Sequence, residues 1–160
     1  MTVLVHLSNQ DETHRLAVLL ASHAAPGLTV LLDGPVGTGK TTLARHIIQH
    51  CLAEHGLAED VPSPTFTIIQ TYLANGLEIW HADLYRLTST NELAELGLDA
   101  AFEDAFCLVE WPDRLGTSVP QGLRIDLAYD KSPDARVATL AATSDRFAQL
   151  PLEISKAFHT

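Results

Sequence analysis

Between a short apolar run, Leu28 to Leu32, and a segment whose apolar residues Leu43, Ile47, Ile48 and Cys51 recur at helical spacing lies Gly34-Pro35-Val36-Gly37-Thr38-Gly39-Lys40-Thr41. This stretch fits G-x-x-x-x-G-K-[ST] at every fixed position. The glycines let consecutive backbone N–H groups converge on an anion, and the helix N-terminus adds partial positive charge. The spacing aims Lys40 at the β- and γ-phosphates of a nucleotide and gives the Thr41 hydroxyl to Mg²⁺. A glycine-rich turn with a chance lysine would also fit the letters, but it does not explain the strand before and the helix after.

The rest of the chain reads as an α/β protein built around that loop. Val3 to Leu7 suits an edge strand, and Asp11 to Ala25 a helix with Leu16, Leu19 and Leu20 on one side, stopped by Pro26-Gly27. Leu28 to Leu32 suits a strand buried on both faces. Thr65 to Tyr72 and Leu77 to Asp83 flank Ala74-Asn75-Gly76, a hairpin signal that makes part of the sheet antiparallel. Ser89 is a plausible N-cap for a helix to Leu96. Phe106 to Trp111 reads as another buried strand, Leu123 to Tyr129 with Arg136 to Ala142 as a second hairpin, and the end beyond Ser144 as a peripheral helix. The expected fold is a P-loop NTPase-like three-layer sandwich with a mixed central sheet, formed by residues 1–160 as a single domain.

Composition excludes several function classes. The 160 residues are 46% hydrophobic and 19% charged, which suits a packed core and not a disordered chain. With 20 acidic against 10 basic residues the formal charge is −10, and Lys40, Lys131 and Lys156 are the only lysines. No basic patch stands out, so contact with a nucleic acid is expected only through a partner. Cys51 and Cys107 match no metal spacing and read as reduced thiols, which suits the cytoplasm. No apolar run approaches membrane-spanning length, and the first residues lack the apolar core of a signal peptide.

A nucleotide site of this kind needs acids at strand ends to serve Mg²⁺ and to orient water. Glu110 follows Cys107-Leu108-Val109 and is the preferred site acid; Asp83 ends the strand from Leu77. Either acid would also serve as a helix cap or in a solvated turn. His81 reads as a packed strand residue and not as a catalytic one, and Trp111 as a packing group. Val61-Pro62-Ser63-Pro64-Thr65-Phe66-Thr67, with its two prolines, is an ordered loop in which Thr65 either approaches the γ-phosphate or merely opens a strand.

Taken in order, Gly34 to Thr42, Ser63-Pro64-Thr65-Phe66-Thr67, His81-Ala82-Asp83-Leu84-Tyr85-Arg86-Leu87, Glu95-Leu96-Gly97-Leu98 and Leu108-Val109-Glu110-Trp111-Pro112 resemble the bacterial TsaE (YjeE) family, P-loop ATPases of tRNA threonylcarbamoyladenosine biosynthesis. The resemblance implies that Gly37, Thr38, Gly39, Lys40, Thr41 and Thr42 bind the phosphates of ATP. It implies that Thr41, Asp83 and Glu110 serve Mg²⁺, that Glu110 supports hydrolysis, and that the Ser63 to Thr67 loop is a switch. It further implies a role for Trp111 and a base pocket near Gln10 and Ser132. The implied partners are the TsaD catalytic subunit and TsaB, with tRNA reached only through their complex.

Two other classes share the loop. A small-molecule P-loop kinase needs an arginine-bearing lid, whereas the arginines here are scattered singly from Arg15 to Arg146. A regulatory GTPase carries Asn-Lys-x-Asp, which this chain lacks.

Overall fold

The computed structural model describes residues 1–160. The chain runs through β1 (Thr2–Leu7), α1 (Gln10–Ala21), β2 (Thr29–Asp33), α2 (Lys40–Ala53), β3 (Ile69–Ala74) and β4 (Leu77–Asp83). It continues through α3 (Asn91–Leu96), α4 (Leu98–Asp104), β5 (Phe106–Glu110), β6 (Gly122–Tyr129), β7 (Arg136–Ala142) and α5 (Leu150–Phe158). The strands form one seven-stranded sheet in the order β1-β7-β6-β2-β5-β4-β3. Its centre, β6-β2-β5-β4, is parallel, and its flanks are antiparallel, so the sheet is mixed as expected.

Strand alternation sorts residues between two apolar layers. Val30, Leu32, Phe106, Leu108, Leu123, Ile125 and Leu127 face α1, α2 and α5 in the larger core. Leu31, Ala82 and Val109 pack on the opposite face with Leu93, Leu98 and Leu115, supplied by α3, α4 and a 3-10 turn at Pro112–Leu115. β2 and β5 are therefore apolar on both faces, which is why they read as continuous runs.

Some boundaries differ from the sequence reading. α1 stops at Ala21, with Asn9 as its cap accepting from the Glu12 N–H at 3.0 Å, and Pro26-Gly27 lies beyond it. β3 begins at Ile69, because Ser63 to Ile68 is spent on a loop. α4 was not expected: Gly97, in the left-handed conformation, ends α3 and starts a second short helix. α5 is not peripheral, since Leu150, Ile154 and Phe158 are buried in the larger core. The Asn75-Gly76 hairpin is present with both residues at positive φ, the geometry of a type I′ turn. Both cysteines are free and buried.

Candidate functional site

The Gly34 to Thr42 loop leaves the carboxyl end of β2, the central strand between β5 and β6, and runs into α2. Gly34 sits at φ 141°, where a Cβ would lie 2.4 Å from the Leu127 carbonyl oxygen, so no other residue fits there. The loop's carbonyls are tied on the outside. Tyr129 donates its hydroxyl to Val36 O at 2.8 Å, and Arg136 donates Nε–H to Thr38 O at 2.9 Å. Thr38 donates Oγ1–H to Pro35 O at 2.8 Å, and the Lys40 ammonium donates to Gly34 O. Because α2 begins at Lys40, the N–H groups of Lys40, Thr41 and Thr42 have no intrahelical acceptor and are left for a ligand.

Lys40 itself is buried. Burial pushes its ammonium below the ordinary lysine range, against the carboxylates of Glu110, Asp33 and Asp83, which hold it up. Its Nζ lies 3.8 Å from the centre of the Trp111 ring, a cation–π contact.

The sheet register brings the two acids side by side. Asp83, the last residue of β4, pairs with Glu110, the last of β5, and Glu110 also pairs with Leu32 of β2. Three strand ends thus open at one level beside the loop, as the crevice rule for open α/β sheets requires. Glu110 Oε1 accepts from the Thr41 hydroxyl at 2.7 Å, and its Oε2 lies 2.7 Å from His81 Nε2. Asp83 Oδ1 accepts the Tyr85 N–H at 3.0 Å and Oδ2 accepts the Thr65 hydroxyl at 3.3 Å.

Two strained residues flank this pair. Trp111 adopts φ 59°, ψ 55°, a left-handed conformation that turns the chain sharply after Glu110 and sets its ring between Lys40 and Tyr85. Ile68, a β-branched residue, sits at φ 70°. It donates N–H to Pro64 O at 2.7 Å and accepts the Asp83 N–H at 2.8 Å, which couples the Ser63 to Thr67 loop to the site acid. Strain of this kind persists where the surroundings over-determine it and clusters at functional sites.

A cavity of about 500 Å³ is lined by Gly37, Gly39, Lys40, Thr41, Thr42, Thr65, Asp83, Glu110 and Trp111, together with Val36 and Tyr85. On the other side of the loop a polar cavity of about 220 Å³ is lined by Gln10, Thr13, Thr38, His46, Asp134 and Arg136, sharing Gly37, Gly39 and Thr42 with the first. Of the residues expected from sequence to touch nucleotide or metal, all but Ser132 line one cavity or the other. Ser132 lies in the same β6–β7 turn, where its carbonyl accepts from the Ala135 N–H at 3.1 Å, and Asp134 of that turn faces the cavity.

The donors beside the loop fit Mg²⁺. They are oxygens: the Thr41 hydroxyl and the carboxylates of Asp83 and Glu110. No cluster of three or more His, Cys, Asp or Glu is assembled into an all-protein cage. A cation that keeps several waters and leans on phosphates asks for no more than this.

Sequence reasoning took His81 for a packing residue and did not single out Tyr129, Asp134 or Arg136. For His81 a signal existed: alternation along Ile79, His81 and Asp83 places it on the same face as the site acid. For Tyr129 and Arg136 the hairpin pairing was legible, but not that β6 would lie beside β2 and bring the hairpin's end against the loop.

A family model, "Threonylcarbamoyl adenosine biosynthesis protein TsaE", matches residues 7–138. A Rickettsia felis protein named tRNA threonylcarbamoyladenosine biosynthesis protein TsaE is 43% identical over 67% of this chain and 61% of its own length. Its Rickettsia conorii counterpart is 42% identical over 59% of its own length, so the match spans about three fifths of both. The Bacillus subtilis protein of the same name is 35% identical over 92% of this chain and 90% of its own. The crystal structure of Bacillus subtilis YdiB superposes with a TM-score of 0.79 at 31% identity, covering 98% of this chain and 96% of that one. A family model covering most of the chain, and relatives this similar over most of it, establish that the chain belongs to the TsaE family of tRNA threonylcarbamoyladenosine biosynthesis proteins.

Proposed function

We propose that the chain is an accessory ATPase: it binds Mg-ATP at the Gly34 to Thr42 loop, hydrolyses it slowly alone, and acts on the TsaB–TsaD complex during tRNA modification in the cytoplasm. The observation that carries this reading is the convergence of Lys40, the Thr41–Glu110 pair and the Thr65–Asp83 pair on one cavity at the ends of three registered strands.

In this reading the amides of Gly37 to Thr42 receive the phosphates, held in place by the outward ties of their carbonyls. Lys40 leaves the Gly34 carbonyl for the β- and γ-phosphates. Thr41, Asp83 and Glu110 would hold Mg²⁺, which when bound would neutralise negative charge on the phosphates. Glu110 orients the attacking water. Thr65, tethered to Asp83, reports the γ-phosphate to the Ser63 to Thr67 loop. The polar cavity at Gln10 and Asp134 takes the nucleoside. A net charge of −10 suits a protein that reaches tRNA only through its partners.

Calorimetry with Mg-ATP and a hydrolysis assay test this on wild type and Glu110→Gln. The variant is expected to keep ATP while losing hydrolysis. Equal loss of both returns Glu110 to a structural role, and absence of ATP binding by the wild type refutes the proposal.

A further inference from the structure

We propose that His81 is a positioning residue for hydrolysis: its Nε2–H holds Oε2 of Glu110, so that Oε1 is presented to Thr41 and to the cavity beside it. The assignment rests on the ATPase reading above and deepens it.

His81 is fully buried on β4, and Glu110 is 2% exposed. Their contact is 2.7 Å, and with Glu110 as a carboxylate, which only accepts, the proton in it lies on Nε2. The other ring nitrogen, Nδ1, has no partner. A histidine that merely filled the core would bring an unpaired nitrogen into it for nothing, whereas a leucine there would continue the apolar face that Ile79 begins. What the imidazole adds at this position is the grip on Glu110.

That grip matters because a glutamate at a strand end has freely turning side-chain bonds. Thr41 fixes one oxygen from α2 and His81 fixes the other from the neighbouring strand, so the carboxylate plane is set from two sides. In the ATPase reading the Thr41 hydroxyl is also a ligand that would hold Mg²⁺. When its hydrogen bond to Oε1 is loosened, the hold on Oε2 keeps the carboxylate aimed. His81 thus supports orientation of the water and leaves nucleotide affinity to the loop.

The test compares wild type, His81→Leu and His81→Gln by Mg-ATP calorimetry and steady-state hydrolysis, with near-ultraviolet circular dichroism to confirm folding. His81→Leu is expected to lower kcat about 100-fold while KM and Kd stay within about threefold, the split of an interaction used after binding. His81→Gln, whose amide N–H reaches the place of Nε2–H, is expected to recover most of the loss. Long-range ¹H–¹⁵N spectra of the wild type should show the Nε2–H tautomer, and Glu110→Gln should move that signal with the nucleotide absent. If His81→Leu does not fold, His81→Gln against His81→Asn decides, because the shorter amide cannot reach Glu110. Wild-type kcat in His81→Leu, equal activity of the Gln and Asn variants, or a ring signal indifferent to Glu110→Gln overturns the role. Absence of ATP binding by the wild type overturns the ATPase reading itself, and this role with it.

Discussion

Replacing Arg136 with Met removes the clasp on the outside of the phosphate loop while keeping an apolar stem of similar length. The Nε–H bond to Thr38 O at 2.9 Å comes from a charged donor and is worth about 1.5–3 kcal/mol. The second contact to the loop, to Gly37 O, is 3.5 Å long and adds little. The guanidinium also lies 4.7 Å from the Tyr129 ring, a half-exposed cation–π contact of roughly 0.5–1 kcal/mol. Water replaces part of this, leaving about 2 kcal/mol, or roughly 30-fold in affinity for Mg-ATP. Tyr129→Phe gives up one neutral hydrogen bond to Val36 O and is expected to lose about fivefold, near 1 kcal/mol. Because Arg136 also lines the smaller cavity, calorimetry with inorganic tripolyphosphate separates the two contributions. Loss of loop order weakens tripolyphosphate as much as ATP, while loss of a nucleoside contact weakens ATP alone. Wild-type tripolyphosphate affinity in a folded Arg136→Met protein would refute the clasp.

Further outcomes follow from the same geometry. Lys40→Ala is expected to abolish ATP binding by calorimetry. Gly34→Ala places a methyl 2.4 Å from Leu127 O, so a depressed melting temperature together with lost ATP binding is expected. Ile154→Ala, at the buried face of α5, should cost about 2–5 kcal/mol in urea unfolding and leave ATP affinity unchanged. Burial pushes the Cys51 thiol up to about 11 and the Cys107 thiol up to about 12. A raised thiol contributes stability that is whole below its unfolded value near 9 and is lost as pH rises through the folded one. Unfolding titrations should therefore show an alkaline loss above about pH 9 that shrinks in Cys107→Ala, and native protein at pH 8 should resist thiol reagents.

Local chemistry made much of this site legible in the sequence. The loop from Gly34 to Thr41 is contiguous, so its spacing carries its geometry, and Asp83 and Glu110 were found because each ends an apolar or alternating run. The Asn75-Gly76 turn was equally readable, since both residues accept positive φ. What escaped depends on strand order. Neither the insertion of β5 between β2 and β4 nor the placement of β6 beside β2 is written in any local pattern, and those placements join His81 to Glu110 and Arg136 to Thr38. α4 was missed because Gly97 reads as an end and here also serves as a beginning. The burial of α5 was missed because its apolar face is four residues, Leu150, Pro151, Ile154 and Phe158, on a helix of little more than two turns.

The central claim, that ATP hydrolysis at this loop serves tRNA modification, is tested most directly by reconstituting threonylcarbamoyladenosine formation with TsaB, TsaD and this chain over several turnovers. With ATP and wild-type protein the modified tRNA is expected to exceed the amount of TsaD, whereas Glu110→Gln, or a non-hydrolysable analogue, holds the yield near one turnover. Equal yields with and without the chain, or with wild type and Glu110→Gln, would contradict the account.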